Sequence, residues 1–327
     1  MRAQADGFAL LAVLCCLTSL GVLAASFSFG ARTEMRQARW SLERSRAYYT
    51  ARAGLHRTAA LLREHAQDPF HAANAPWWSA ESLYKDVPFG ESRYSIEHDG
   101  AYGVDDEESR LNVNQATPEM LMQFPGVSTS LAEAITLFVA QKKEAESAEA
   151  AQSQSIGAGP PPEASKNVTQ PIRNLAELLA VPGVTTQLLY GGQPGAPLPD
   201  GLASALTCFS SGKVNVNTAR APVLQALGLS EEQCNTLLAL RAEQFPGFAS
   251  VEEFQRAITG QSEKPNSNGM LQRNMKLLDV RSANFRATCT VISSRGGLDA
   301  RIRARISLGE AVLYFSLFQA STAPEAG

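Results

Sequence analysis

The hydrophobic pattern at the start of the chain predicts a membrane-spanning helix. Residues 8–31 contain no charged side chain, and only a short segment ending in Gly7 precedes them. About twenty apolar residues are enough to cross the hydrocarbon core of a bilayer as a helix. The residues that follow keep a helical pattern, whereas a secretory signal peptide has a shorter apolar core and a small-residue cleavage site behind it. We therefore expect the apolar run to be retained, either behind a cleaved leader of residues 1–7 or as an uncleaved signal anchor.

The next segment continues the helical periodicity and predicts a stalk over residues 32–66. It contains Gly54 and no proline. Its apolar residues recur at steps of three and four, which places them on one helical face. These residues are Tyr48, Ala51, Leu55, Ala59 and Leu62. At 1.5 Å per residue, residues 8–64 form one rod of about 85 Å. The stalk either packs among other stalks or is an ordinary juxtamembrane helix.

Alternating patterns on both sides of a long helical region predict one small antiparallel sheet. β-Branched, aromatic and alternating apolar positions mark the strands. The segments are residues 92–98, 285–293, 301–308 and 311–318. We assign the sheet-forming domain to residues 67–104 and 279–320. It is interrupted by an inserted helical domain of residues 105–278 and followed by a tail of residues 321–327.

Within the helical region, residues 142–170 differ in composition from their surroundings. They are rich in Ala, Ser, Gln, Glu and Pro, and include a Gly-Pro-Pro-Pro run at 159–162. Such a segment has too few apolar residues to pack against a core. We predict that it is a disordered insertion.

A unit built around Asn-Val-Asn occurs twice in the helical region. The copies begin at Leu111 and Val214, and each leads into a short helix, a tight turn and a second helix. The hairpin occurs a third time at residues 179–188. This pattern is typical of helix-hairpin-helix units. The predicted turn glycines are Gly126, Gly183 and Gly228.

The hairpins lack the groups with which such units bind DNA. Phosphate binding uses backbone N–H groups of a Gly-apolar-Gly turn, assisted by nearby cations. The second glycine is replaced by Ser128, Thr185 and Ser230, and residues 125–135 and 228–237 contain no Lys or Arg. Without cations to displace counterions, phosphate affinity is low. The net charge of −3 agrees, so we predict a structural or protein-docking role and no nucleic-acid partner.

The composition also limits the chemistry that the protein can perform. The chain has 327 residues, of which 44% are hydrophobic, which is enough for a sizeable core. No nucleophile motif, phosphate loop or zinc-type Cys and His spacing is present, so we predict that it is not an enzyme. Cys208, Cys234 and Cys289 follow the apolar run. They form either one disulfide and a free thiol or three buried thiols.

One dense acidic cluster consists of Asp105, Asp106, Glu107 and Glu108. Carboxylates are calcium ligands, but this run lacks the spaced oxygen ligands and the glycine of a recognisable calcium loop. A solvated loop is the expected state, and a Ca²⁺ site is the alternative. No other cofactor is expected.

The charges that flank the apolar run favour an orientation in which the C-terminal domain is not exported. Only Arg2 and the amino terminus precede the run, whereas several arginines follow it, and basic residues are normally retained on the cytoplasmic side. The arginines that follow are Arg32, Arg36, Arg39, Arg44 and Arg46. Taken alone, these charges would keep the C-terminal domain in the cytoplasm.

The order of these motifs resembles that of a known family. A Gly7-Phe8 junction precedes the apolar run, and a Tyr-Tyr-x-Ala-Arg-Ala-Gly segment follows at 48–54. The acidic cluster, the two Asn-Val-Asn units, an Asn-Leu-Ala-Glu-Leu-Leu-Ala-Val-Pro-Gly-Val block at 174–184 and the terminal strands complete the series. This order is similar to that of the minor pseudopilin called protein K of the type II secretion pathway. The resemblance covers nearly the whole chain except residues 142–170.

The resemblance implies an α+β fold, in which a long transmembrane stalk helix and a pilin-like antiparallel sheet carry a large inserted helical domain. It implies a single-pass protein of the inner membrane with its C-terminal domain in the periplasm. There it would stand at the tip of the pseudopilus, contact the minor pseudopilins of the I and J types, and help initiate assembly and the export of folded proteins across the outer membrane.

The resemblance also implies processing of the amino terminus. A prepilin peptidase would cleave after Gly7, and the new amino terminus at Phe8 would be methylated. Most pilin-like proteins carry Glu five residues into the mature chain, where this sequence has Ala12. Protein K characteristically lacks that Glu. The alternatives are a membrane-anchored helix-hairpin-helix DNA receptor and a signal-anchored scaffold of unknown role.

Overall fold

The computed structural model describes residues 3–72, 74–98, 100–155, 171–192, 198–242, 246–259, 269–292, 298–308 and 313–320. Helix α1 runs without interruption over Ala3–Glu64. It therefore joins the predicted span and the predicted stalk in one rod. Within the described part of the chain, α1 is the one helix that is long and apolar enough to cross a membrane. Its large apolar side chains from Leu10 to Phe29 are exposed.

The second half of α1 packs against an antiparallel sheet. The main path of the sheet runs in the order β1 (Val87–Phe89), β2 (Ser92–His98), β9 (Asn284–Ile292), β10 (Leu298–Ser307) and β11 (Leu313–Ala320). Strand β3 (Ala101–Tyr102) pairs with β2, and β4 (Asp105–Asp106) pairs with β9. Strand β2 lies beside β9, with Ile96 opposite Cys289. The prediction that helices interrupt a single sheet is confirmed.

The apolar stripe of α1 forms one wall of the core beneath this sheet. Its buried residues are Ala47, Ala51, Leu55, Ala59 and Leu62. On β10 the predicted alternation is present, since Ile302, Ala304 and Ile306 are buried while Arg301 and Arg303 are exposed. A sheet with one buried face gives this period of two.

The segment between α1 and β1 contains two short helices. They are α2 (Pro76–Ser79) and α3 (Glu81–Tyr84). Trp78 is buried and its ring lies 5.4 Å from that of Phe285 on β9, centroid to centroid. The Tyr84 hydroxyl donates to the carbonyl of Trp77 at 2.6 Å. This segment therefore closes the core at the end of α1.

The helical domain leaves the sheet after β4 and returns to it before β9. Its helices are α4 (Pro118–Leu121), α5 (Thr129–Ser155), α6 (Thr186–Tyr190), α7 (Ala221–Ala226), α8 (Glu231–Ala242), α9 (Val251–Thr259) and α10 (Gly269–Asn274). Two short parallel strand pairs join them, β5 (Leu111–Asn112) with β6 (Leu206–Thr207), and β7 (Val214–Asn215) with β8 (Leu278–Asp279). Short 3₁₀ turns lie at Glu107–Ser109, Leu175–Ala180, Leu202–Ser204 and Met275–Leu277.

The predicted disordered insertion needs a correction at its start. Helix α5 extends to Ser155, so residues 142–155 are helical. The Ala, Glu, Lys and Gln residues that made this segment look unable to pack are also strong helix formers. Residues 156–170 lie outside the described part of the chain.

Candidate functional site

The acidic cluster lies buried between the sheet and the helical domain. Asp105 and Asp106 form β4, and Glu107 and Glu108 begin a 3₁₀ turn. All four side chains are buried, so the predicted solvated loop is wrong. The reason is that both neighbouring parts of the protein direct hydrogen-bond donors at this run. We call residues 105–110 the junction segment.

Two arginines neutralise two of the buried carboxylates. Arg110 Nη2 lies 2.7 Å from Asp105 Oδ2. Arg286 Nε, on β9, donates to Glu107 Oε1 at 2.7 Å. The Thr207 hydroxyl, on β6, donates to the other oxygen of Glu107 at 2.5 Å. Glu107 therefore connects the sheet directly to the helical domain.

Glu108 makes a second connection through three N–H donors. The backbone and the side-chain amide of Asn284, at the start of β9, donate to it at 2.9 and 2.8 Å. The backbone N–H of Ser211, between β6 and β7, donates at 3.1 Å. Because N–H groups cannot accept a hydrogen bond, this arrangement favours the ionised carboxylate.

Asp106 belongs to a polar network that reaches the end of the stalk. Its Oδ2 accepts from the hydroxyls of Thr218 and of Ser282, the latter at 2.8 Å. Ser282 Oγ accepts from Asn215 Nδ2 at 2.7 Å, and the Ser282 N–H donates to His71 Nδ1 at 2.9 Å. This network joins the chain that follows α1 to the sheet and to the second Asn-Val-Asn unit.

Burial dominates the electrostatics of this network. It raises the pKa of Asp106, and the negative charge of Glu108 raises it further. Burial also raises the pKa of Glu108, against the opposing hydrogen bonds from Asn284 and Ser211. The pKa of His71 is lowered because burial disfavours its charged form. Ionised carboxylates at these two positions therefore cost folding free energy at neutral pH.

The four carboxylates considered from the sequence as calcium ligands already have partners within the protein. The candidate ligands Asp105, Asp106, Glu107 and Glu108 accept hydrogen bonds or ion pairs from protein donors. Among the residues that the structure describes, no group of three His, Cys, Asp or Glu side chains is arranged to hold a metal ion. The buried carboxylates are used instead to attach one domain to the other.

The two Asn-Val-Asn units have equivalent structures. In each, the side-chain oxygen of the first Asn accepts from the backbone N–H of the second, at 3.0 Å for Asn112 and 2.9 Å for Asn215. This closes a local turn of the Asx type. The strands that carry these residues, β5 and β7, each pair in parallel with a strand that returns from later in the chain.

The second Asn of each unit pairs with the backbone of a distant residue. Asn114 accepts from the Ile172 N–H at 2.8 Å and donates to its carbonyl at 3.0 Å. Asn217 accepts from the Phe248 N–H at 2.8 Å and donates to its carbonyl at 3.1 Å. The helical domain thus contains two units with the same hydrogen-bonding scheme, which explains why the motif occurs twice.

The three predicted turn glycines all have positive φ angles, 82° at Gly126, 95° at Gly183 and 105° at Gly228. In the first two hairpins, the turn glycine of each lies against a leucine of the other. A Cβ at Gly126 would lie 3.1 Å from Cδ1 of Leu188, and one at Gly183 would lie 3.3 Å from Cδ1 of Leu131. Each leucine follows the glycine of its own hairpin by five residues.

Gly228 packs against α10 in a different way. A Cβ at this position would lie 2.6 Å from the backbone nitrogen of Leu271. All three turns therefore contact other parts of the same domain. Several cations of the domain are paired with carboxylates. The pairs are Lys142–Glu177, Arg173–Glu146, Lys213–Asp279 and Arg273–Glu119. This arrangement favours a structural role of the hairpins over phosphate binding.

The three cysteines outside the apolar run are separate buried thiols. Cys208, Cys234 and Cys289 are all unpaired and buried. Burial raises the pKa of the Cys234 thiol to about 11, so thiolate chemistry at this position is disfavoured. Of the two alternatives left open by the sequence, the structure has three buried thiols.

The predicted processing site lies in the first turns of α1. The backbone of Gly7 and Phe8 is helical, and the side chain of Phe8 is outside the described part of the chain. Ala12 is exposed on the apolar half of the helix. Cleavage after Gly7 and methylation of Phe8 therefore remain predictions.

A comparison with known protein families gives a match that contains the second Asn-Val-Asn unit. Residues 214–274 match the family described as Type II secretion system (T2SS), protein K. The matched span begins at β7 and ends with α10, so it includes Asn215, Asn217 and Gly228. The match confirms the resemblance to the protein K family over residues 214–274.

The fold is similar to that of a chain in the crystal structure of the GspK-GspI-GspJ complex from the enterotoxigenic Escherichia coli Type 2 Secretion System. The TM-score is 0.56 at 14% sequence identity, and the match covers 88% of this chain and 100% of that chain. A comparison with curated proteins gives no significant match. At this identity the likeness shows the fold alone, and it confirms the predicted α+β fold with a long N-terminal helix, an antiparallel sheet and additional helices.

The sequence analysis missed most of the residues that hold the two domains together. Thr218, Ser282 and Asn284 carry no recognisable motif, and their carboxylate partners Asp106 and Glu108 lie more than a hundred positions away along the chain. One signal was available. Thr218 directly follows the second Asn-Val-Asn unit, in the position that Gln115 occupies after the first.

Proposed function

We propose that this protein is the minor pseudopilin at the tip of a type II secretion pseudopilus. In this role it helps to initiate assembly of the pseudopilus and thereby supports the export of folded proteins across the outer membrane. The observation that carries the proposal is the combination of the protein K family match at 214–274 with a fold similar to a chain of the GspK-GspI-GspJ complex over 88% of this chain. The role is structural and requires no catalytic residue.

The position of the helical domain supports a place at the tip. The chain that immediately follows α1 contacts this domain, since the carbonyl of His71 accepts from Asn215 Nδ2 at 3.0 Å. Phe70 lies against Gly247, where a Cβ would approach its ring to 2.8 Å. The domain therefore lies at the end of the stalk that is remote from the apolar run. A large body in that place obstructs the addition of another subunit above it.

The apolar half of α1 supports the same conclusion. Ala12 has no carboxylate with which to pair the terminal amine of a neighbouring subunit inside the membrane. In hydrocarbon an unpaired charged group is costly, so the absence of a partner at Ala12 disfavours stacking of another subunit onto this one. A tip subunit needs to bind only the subunits beneath it.

The proposal includes partners, processing and location. The partners are the I- and J-type minor pseudopilins, since a GspK chain is found with GspI and GspJ in the similar structure. A prepilin peptidase removes residues 1–7, and Phe8 becomes a methylated amino terminus. The mature protein is held in the inner membrane by residues 8–31 and carries its C-terminal domain in the periplasm.

Co-purification tests this function. The full chain is expressed with the I- and J-type pseudopilins and the peptidase of the same host, and is then purified through a C-terminal tag in neutral detergent. We expect both pseudopilins to co-purify in fixed ratio with a chain that begins at Phe8. A correctly folded chain that retains neither of them would overturn the proposed function.

A further inference from the structure

A strongly basic stretch of α1 follows directly on the apolar run. Residues 32–46 contain five arginines and two glutamates, although the net charge of the whole chain is −3. The arginines are Arg32, Arg36, Arg39, Arg44 and Arg46. All of residues 32–46 are exposed, because the contact of α1 with the sheet begins at Ala47.

The first three of these arginines share one face at the level of the membrane surface. Arg32, Arg36 and Arg39 are separated by four and three residues, so their side chains follow one another along the helix. They span a rise of about 10 Å. The polar layer on each side of a bilayer is about 5–8 Å deep, and long arginine side chains can reach back toward it. With residues 8–31 in the membrane, the three guanidinium groups lie at the depth of the lipid phosphates.

The arginines farther along the helix have partners within the protein. Arg46 Nη1 lies 3.1 Å from Glu91 Oε2, and the Arg44 guanidinium lies 5.5 Å from the centre of the Trp40 ring. For Arg32, Arg36 and Arg39, no carboxylate of the described residues is within the 4.0 Å of an ion pair. The three cations nearest the apolar run are therefore available to an external anion.

We infer that Arg32, Arg36 and Arg39 bind the phosphate groups of anionic phospholipids, such as phosphatidylglycerol, on the side of the membrane that carries the globular domain. A guanidinium group binds phosphate through paired N–H donors. Basic residues beside a span are attracted by anionic headgroups. Basic residues beside a span normally remain on the cytoplasmic side of the membrane. Binding to lipid phosphates would stabilise these three arginines on the opposite side, where the globular domain lies. The inference rests on the proposed function only in requiring that residues 8–31 are retained as the span.

Lipid selectivity of the full chain tests this inference. The protein is purified in neutral detergent and mixed with equal amounts of phosphatidylglycerol and phosphatidylcholine, and native mass spectrometry counts the retained lipids. The test variant is Arg36→Gln/Arg39→Gln. The matched control is Arg44→Gln/Arg46→Gln, which removes the same charge from the same helix about 11 Å farther from the apolar run.

We expect the unmodified chain to retain phosphatidylglycerol at least about fivefold over phosphatidylcholine. The test variant should lower that preference to nearly equal retention of the two lipids, and the control should change it less than about twofold. Equal retention of the two lipids by the unmodified chain, or equal losses in both variants, would overturn the inference. So would a test variant that keeps its lipid preference but no longer co-purifies with the other pseudopilins, since this would assign the face to a protein partner.

The same spectra separate failure of this inference from failure of the proposed function. The intact mass reports whether residues 8–31 are present. A mature chain without them contradicts the proposed function itself. A chain that contains them, binds the other pseudopilins and shows no preference for phosphatidylglycerol contradicts only the lipid contact.

Discussion

Gly54 of α1 lies directly against the ring of Tyr94 on β2. A Cβ at Gly54 would approach Cδ2 and Cε2 of that ring to 2.7 and 2.8 Å. Tyr94 is buried beneath the stalk, so the ring has little room to move. The missing side chain at Gly54 therefore sets how closely the stalk helix approaches the sheet. This contact explains a helix-interior glycine, which would otherwise only weaken α1.

Substitution Gly54→Ala should destabilise the protein. The gain of about 1 kcal/mol in helix propensity is outweighed by a clash that costs about 1–3 kcal/mol or more. We expect a lower melting temperature for the full chain in neutral detergent, measured by differential scanning fluorimetry. Gly30→Ala is the matched control, because nothing lies within 4 Å of a Cβ at Gly30.

The two residues can also be tested together. In a Tyr94→Leu background, the ring is absent and Gly54→Ala should be neutral or stabilising. The same loss of stability in both backgrounds would contradict the proposed clash.

Asp106→Asn should change how stability depends on pH. The folded-state pKa of Asp106 lies above its unfolded value of about 3.8, chiefly because of burial. The protonated carboxyl therefore contributes stability that is fully present below about pH 4 and is lost as the pH rises through the folded pKa. Relative to the variant, the free energy of unfolding of the unmodified protein should fall with rising pH, by at most about 1.4 kcal/mol per unit.

Urea unfolding between about pH 4 and pH 7 measures this difference. The Asn side chain is tolerated because the Thr218 and Ser282 hydroxyls can turn to accept its N–H groups. The control Asp200→Asn changes an exposed carboxylate. Parallel curves for the unmodified protein and Asp106→Asn would show that Asp106 is not the titrating group.

Asn217→Ala should cost more stability than Asn114→Ala. The first substitution removes both hydrogen bonds between Asn217 and the buried backbone of Phe248, at about 1–3 kcal/mol for each bond that is lost. Asn114 is partly exposed, so water can replace its bonds to Ile172. Urea unfolding measures both losses, and exposed Asn235→Ala serves as the control. A loss at Asn217 equal to or smaller than that at Asn114 would contradict burial as the cause of the difference.

The predictions from sequence succeeded where a repeating pattern reflects a local geometric requirement. The helical stripe around Leu55 and the alternation around Ile302 each follow from one buried face, and both are present in the structure. The burial of Glu107 could not be predicted in this way. Its partners Arg286 and Thr207 are distant in the sequence and reach Glu107 only in the folded protein, where the chain passes through the helical domain and back into the sheet. A run of four acidic residues therefore looked like a solvent-exposed loop.

DNA binding should be absent despite the helix-hairpin-helix pattern. Proteins that bind DNA without sequence specificity typically have dissociation constants of about 10⁻⁴ to 10⁻⁶ M, which depend steeply on salt. We expect no binding tighter than about 1 mM when the full chain, in neutral detergent at low salt, is titrated into a fluorescein-labelled duplex and followed by anisotropy. Submillimolar binding that weakens steeply with salt would favour the DNA-receptor alternative.

Processing after Gly7 should depend on that glycine. Helix α1 includes the junction, so a peptidase must locally open helical backbone to reach the bond between Gly7 and Phe8. Glycine costs about 1 kcal/mol relative to alanine within a helix, which makes opening easier at this residue. Gly7→Leu should therefore leave a chain that begins at Met1, as measured by intact mass spectrometry after co-expression with the peptidase. Ala5→Leu, which leaves the junction unchanged, should still give a chain that begins at Phe8. If both variants are cleaved equally, the bond is opened without help from Gly7, and if the unmodified chain keeps Met1, residues 1–7 are not a leader.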